Sequence, residues 1–414
     1  MNHIHQLFLQ AIRAGLKNEQ AQWDSGVSPE DWHSLFRLAN EHHLLPLFFQ
    51  AVYSCPAFAT ADPALVAGVR HSTRTTVMQQ TLKTMEFQAL FGQLLAAGVT
   101  PMVVKGIVCR SLYPMPDHRF SGDEDVLIPK EQYPLCKKVL EANGMAIADQ
   151  ASEKSDAYEI PFKKKNGQLY IELHRSLFPP DSDAYGELNG FFEGANGRAV
   201  ELQLQGGVIR TLCPTDHMFY LICHAFKHFL HGGFGIRQVC DIVLYANRYG
   251  CEMDWPQILE NCRAIRAERF AAGLLRIGED YLVFDPDLAC LPECWREIHV
   301  DPAPLLRDLL LSGIYGATDM SRKHSSNITL SAVAAQKQGK KARGGAAAAL
   351  FPKASSLEGR YPYLKDKPWL LPVAWTSRII SYGKRGQSRS NNAADSLRLG
   401  NERVELLRQY GIID

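Results

Sequence analysis

No charge of either sign dominates this chain. Lys+Arg is 45 and Asp+Glu is 44 over 414 residues, so no global field draws it toward a polyanion. No long nucleic acid is expected as a partner. No apolar run approaches the ~20 residues that a membrane span needs. The N-terminal stretch "MNHIHQLFLQAIRAGLKNEQ" is broken by Gln10 and Arg13 and lacks the apolar core of a signal peptide. Ile4, Leu7, Phe8, Ala11 and Ile12 follow helical spacing instead. Among 10 cysteines there is no Cys-x-x-Cys. Cys290 and Cys294 are the nearest pair, and no second His or Cys pair is spaced to complete a zinc site. The expectation is reduced thiols in a cytoplasmic protein. No internal repeat is present. What remains is ordinary globular composition, 46% hydrophobic and 21% charged, over a length that suits roughly two or three domains.

Residues 1–95 read as helical. In "SPEDWHSLFRLANEHHLLPLFFQAV", Ser28 is a good N-cap, Pro29 suits the first turn, and Glu30 and Asp31 favour the positive helix end. Trp32, Leu35, Phe36 and Ala39 mark one face, and a long helix is expected over 64–97, ending near Gly98. The texture changes over 96–212. "PMVVK" reads as a strand ending at Gly106, "IVCRSLY" as a short helix, and "EDVLI" as a second strand stopped by Pro129. "KEQYPLCKKVLEANG" is a helix. "YEIPFKKKNGQLYIELHRSLF" is a hairpin turning at Asn166-Gly167, and "AVELQLQGGVIRTL" is another around Gly206-Gly207. Hairpins mixed with helices give an α+β class with a mixed sheet, flanked by N- and C-terminal helical regions. Residues 213–330 are helical again, with Thr215 a candidate cap. Residues 331–414 read as a basic flexible linker, "SAVAAQKQGKKARGGAAAALFPKASS", and an aromatic tail.

The stretch "RFSGDEDVLI" raises a question of chemistry. Residues i and i+2 of a strand share a face, about 6.6 Å apart. Asp123 and Asp125 therefore project together, and Glu124 points away. Two carboxylates on one face are costly if buried without a partner. They become reasonable around a divalent cation such as Mg²⁺, which takes a few carboxylates plus substrate phosphate oxygens. The bland alternative is a solvated strand end. In "LYIELHRSL", alternation puts Tyr170, Glu172 and His174 on one face, so Glu172 can supply a third carboxylate. The glycine at the turn after "VVK" can let backbone amides approach a phosphate.

The order of strand with "KG", helix, "R-x-x-G-D-x-D" and three apolar residues, helix, hairpin and "ELH" resembles the nucleotidyltransferase fold. More narrowly, the chain is similar to a family of uncharacterised bacterial nucleotidyltransferases, often found near polysaccharide or peptide-modification genes. The resemblance extends to "DWHSLFRLANEHHLLPLF", to "CHAFKHF" followed by "IRQVCDIVLY", and to "RYPYLKDKPWLLPVAW". It implies that Asp123 and Asp125 hold catalytic Mg²⁺ or Mn²⁺, with Glu172 a third ligand or the base. It implies that Lys105 and Gly106 stand where a Gly-Ser or Gly-Gly turn meets the triphosphate, with Gly122 alongside. The sequence departs from that pattern, because Ile107 follows the glycine where a Ser hydroxyl would sit. Arg119 can fork onto a phosphate, or pair with Asp117 or Asp123. The implied function is metal-dependent transfer of a nucleotidyl group from an NTP, ATP foremost, to an unidentified acceptor. The alternatives are a phosphotransferase on the same fold and a catalytically weak nucleotide-binding or antitoxin-like module.

Other constellations are weaker. His224 and His228 lie four apart on one helical face like a zinc pair, but Ala225 stands where a zincin has Glu. Packing is the preferred reading, substrate contact the second. Arg237 and Asp241 are spaced for an intrahelical ion pair. The tail "PWLLPVAWTSRIISYGKR" can lie on a membrane surface, with packing of its Trp residues onto the body preferred.

Overall fold

The structure, a computed structural model, describes residues 1–23, 26–154, 157–313, 320–339, 357, 361–364, 367–384 and 390–414. Near its start, helix Pro29–Glu41 follows its sequence signals closely. The Ser28 hydroxyl accepts from Asp31 N at 3.1 Å, and the Asp31 carboxylate accepts from Ser28 N at 3.0 Å. This reciprocal cap satisfies two otherwise orphaned amides. Trp32, Leu35, Phe36 and Ala39 are all buried. The long helix runs Pro63–Ala96 and stops before Gly98, whose φ of +84° suits glycine.

Seven strands form one mixed sheet: β1 Met102–Val104, β2 Glu124–Leu127, β3 Met145–Ile147, β4 Glu159–Lys164, β5 Tyr170–His174, β6 Val200–Leu204 and β7 Gly207–Thr211. Their order is β3-β4-β5-β2-β1-β7-β6. The β4–β5 and β6–β7 hairpins form as expected. β2 runs antiparallel to β1 and parallel to β5. That register sets Asp125 beside Val104 on one side and beside Glu172 on the other. The two carboxylates 47 positions apart in sequence thus become cross-strand neighbours. This is an α+β fold, with helices before and after the sheet.

A single apolar cluster runs from Leu7 to Ile413 and crosses the expected boundaries near 95 and 212. Helix Pro214–His231 starts after Cys213, which makes no side-chain capping bond, with Pro214 in its first turn. Thr215 does not cap it; its hydroxyl accepts from Asp254 N at 3.0 Å. The C-terminal segment also differs from expectation. Helix Met320–Lys337 occupies the start of the anticipated linker, and residues 340–356 lie outside the described residues. Helix Ser390–Gln409 packs beside it. Arg403 is buried and donates to the carbonyls of Phe229 and His231, so the chain end is tied to the end of helix Pro214–His231. In the tail, Trp375 packs near Leu364 and Ala374, whereas Trp369 is 70% exposed and does not pack onto the body. Among the described residues no helix is long and apolar enough to cross a membrane.

The expectation of uniformly reduced thiols is corrected at one pair. Cys251 and Cys290 form a disulfide across a sequence separation of 39. Gly250 packs against the Ala289 backbone, which brings the two segments together. Spacing along the chain, which singled out Cys290 and Cys294, carries no information about that contact.

Candidate active site

β1 ends at Val104, and the chain turns sharply at the next residue. Lys105 adopts φ +66° and ψ −112°, a sparsely populated conformation for a residue with a Cβ. Its amide donates to His217 Nε2 at 3.0 Å. Burial holds the His217 imidazole down at about 3, so it is neutral and accepts at that nitrogen. His217 Nδ1 lies 3.2 Å from the Thr211 hydroxyl, which donates to the Val103 carbonyl at 2.6 Å. Helix Pro214–His231 and β7 together fix the turn. Nothing in the local pattern singles out His217; its role depends on a partner 112 residues away.

At Gly106 a carboxylate of the next strand fills the space beside the backbone. A Cβ there would collide with Glu124 Oε2. Glu124 is fully buried and accepts from Ile107 N at 2.9 Å and from Arg110 Nη2 at 2.6 Å. Strand alternation turns Glu124 away from Asp123 and Asp125, as expected. Its carboxylate occupies the Ile107 amide at the helix start, one of the amides expected to face an anion. Gly122 contributes its carbonyl to Lys83 Nζ at 2.8 Å.

On the other face of β2, Lys105 Nζ sits 3.0 Å from Asp125 Oδ2, and His174 Nε2 sits 3.2 Å from Asp125 Oδ1. Donor atoms of Asp125, Glu172 and His174 all lie within 4.8 Å of one another. Burial alone would raise the Asp125 carboxyl, but Lys105 and His174 hold it below the usual carboxylate range. Glu172 goes the other way. Burial, then Asp125, Asp123 and Glu159, push it up to about 7. Burial works to lower His174, yet its bond to Asp125 raises it overall. Asp123 is half-buried and lines the same pocket of about 260 Å³, near the lower end for ligand sites. Asp123, Asp125 and Glu172 therefore share a pocket, and His174 joins the tight cluster.

The opposite wall belongs to helix Pro214–His231. Tyr220, His224, Lys227 and His228 face the pocket from positions i, i+4, i+7 and i+8 of one helical face. His224 Nε2 lies 3.0 Å from Lys105 Nζ and 3.2 Å from His228 Nε2. Burial, then neighbouring lysines, lowers both imidazoles well below the ordinary value, so both are neutral. The preferred packing reading undersells them, and Lys227 was missed. Its signal was present, one helical turn after His224.

Arg119 is engaged by a carboxylate of helix Ile236–Tyr249. It is fully buried and forks onto Asp241, Nε to Oδ1 at 2.7 Å and Nη2 to Oδ2 at 2.6 Å. Tyr113 donates to the same carboxylate at 2.9 Å. The expected Arg237–Asp241 intrahelical pair is absent from the contacts; Arg237 donates to the Phe120 carbonyl. From the other side, Gln80 Oε1 accepts from Ser121 N at 2.9 Å, and Lys83 Nζ donates to Ser121 O at 2.5 Å. The loop leading into Asp123 is clamped from both helical regions.

A mixed sheet carrying Gly-Asp-x-Asp on one strand, with an in-register carboxylate on the parallel neighbour, defines a nucleotidyltransferase-type site. Residues 28–282 match the family described as "Uncharacterised nucleotidyltransferase". The chain belongs to that family. Comparison with curated proteins returned no match.

Proposed function

We propose that this protein is a metal-dependent transferase that moves a nucleoside monophosphate from an NTP to an acceptor hydroxyl or phosphate, with ATP the donor to test first. The observation that carries this reading is the Asp125–Glu172–His174 cluster, with donor atoms within 4.8 Å of one another and Asp123 in the same pocket. The cluster fits a divalent cation. Burial first, then the neighbouring carboxylates, raise Glu172 to about 7, and a cation beside it would favour its ionised form. Asp123, Asp125 and Glu172 would hold Mg²⁺ or Mn²⁺, with His174 a further donor. Such an ion supplies charge neutralisation at the transferring phosphate and acidifies an acceptor hydroxyl.

The chain's own groups divide the remaining work. Asp125, kept ionised by Lys105 and His174, stays a permanent anion. Glu172, cross-strand neighbour of Asp125 in the same pocket, is placed to act as a ligand or to take the acceptor's proton. The expected test result is that ATP stabilises the folded protein only with Mg²⁺ or Mn²⁺, by about 2.7 kcal/mol at a hundredfold excess over Kd, and raises the melting temperature accordingly. Equal stabilisation in chelator would remove the carboxylates as metal ligands. With labelled ATP and cell extract, transfer of an α-label supports nucleotidyl transfer. Transfer of a γ-label would make the protein a phosphotransferase, and transfer of neither would leave a binding module.

A further inference from the structure

We propose that the cationic wall of helix Pro214–His231, centred on Lys227 with His228 beside it and Lys105 across from it, receives the β- and γ-phosphates of the nucleotide. This rests on the nucleotidyltransferase reading and replaces the backbone turn as the phosphate site. Other routes to that charge are closed. The Ile107 amide is taken by Glu124 Oε2, whose other oxygen is held by Arg110. Arg119 is committed to Asp241. Of the two lysines lining the pocket, Lys105 is engaged by Asp125 and His224. Lys227 is half-buried and forms no hydrogen bond or ion pair among the described residues.

Gathering an ammonium and neutral imidazoles on one wall of a small pocket costs desolvation that the free protein does not recover. Burial, then Lys105, lowers the Lys227 ammonium, against the pull of Glu159, Asp125 and Glu172, so an anion bound on this wall would favour its charged form. The pocket is bipolar. Carboxylates from the sheet stand on one side, and amine and imidazole donors from the helix stand on the other. In the transfer step the acceptor oxygen bonds to the α-phosphorus and its proton passes to Glu172. The α-phosphorus bond to the bridging oxygen breaks, and that electron pair leaves with pyrophosphate against the helix wall.

The test uses the full chain carrying Lys227→Met and Lys227→Arg. Affinities for ATP, AMP and inorganic pyrophosphate are measured by calorimetry with Mg²⁺. Lys227→Met should weaken ATP and pyrophosphate about 10- to 100-fold, the worth of one charge-assisted contact. AMP affinity should not change, and Lys227→Arg should recover most of the loss. Without nucleotide, the Met variant should melt at or above wild type, because an unpaired half-buried charge is gone. A variant that melts well below wild type would show a structural role and overturn the proposal. ATP and pyrophosphate binding Lys227→Met as tightly as wild type would overturn this inference alone. A wild-type protein that binds neither with metal would overturn the transferase reading as well.

Discussion

Replacing Arg119 with methionine removes one half of an ion pair whose side chains are 0% and 2% exposed. Asp241 keeps the Tyr113 hydroxyl at 2.9 Å but loses both bonds from the guanidinium fork. Stranding a buried carboxylate in this way costs about 3–5 kcal/mol. Tyr113 and the nearby Arg237 charge set the cost near the lower end, about 3 kcal/mol. A chain of 414 residues has an unfolding entropy of about 0.9 kcal/mol/K at the usual per-residue value, so the melting temperature should fall by about 3–4 °C. Adding Asp241→Leu removes the stranded charge and should recover most of the loss. Arg119→Lys should fall between, since one ammonium cannot match both carboxylate oxygens as the fork does. Urea unfolding of the single and double variants gives the coupling energy directly. An unchanged unfolding midpoint together with tenfold weaker ATP binding would refute this. That result would return Arg119 to the phosphate role its sequence position suggested.

Two further predictions concern the carboxylates. Asp123→Asn and Asp125→Asn should both abolish label transfer, but their stabilities should part. The half-buried Asp123 should be replaced with little change, while Asp125→Asn strands Lys105 and costs about 3 kcal/mol by thermal unfolding; matched melting curves for the two would contradict the Lys105 pairing. For Glu172, the folded state holds a proton up to about 7 that the unfolded chain releases near 4.5. The stability that Glu172 contributes in chelator should therefore be fully present below pH 4.5 and be lost as pH rises through about 7, by about 2 kcal/mol after allowing for partial solvent contact. Glu172→Gln should flatten that dependence and melt above wild type at pH 8. Parallel curves for the two proteins would count against the clustered carboxylates.

Much of the frame was legible because its signals are local. The Ser28 cap, the Asn166-Gly167 turn and the two-residue period of Asp123 and Asp125 each depend on neighbours within a few positions. The inward turn of Glu124 also followed from alternation. What it met there did not, because the partners Ile107 and Arg110 arrive through a sharp turn at Lys105. Arg119 and Asp241 are 122 positions apart, and Arg119 reads equally well as a phosphate ligand until packing assigns it. Lys227 sat in a quoted motif whose histidine spacing drew attention toward zinc. The Cys251–Cys290 contact is likewise set by packing of Gly250 on Ala289.

The clamp on the loop before Asp123 bears on the order in which the protein is made. Gln80 and Lys83 emerge from the ribosome before that loop, but Arg237 and Asp241 emerge more than a hundred residues after it. The catalytic strand can pair with its neighbours early, yet its approach stays unset until the second clamp arrives. Long-range closure of this kind is slow and comes late in folding. A nascent chain that ends before Arg237 carries every carboxylate of the candidate site and lacks half of what aims them, so the arrangement of that site is deferred until synthesis has passed that point.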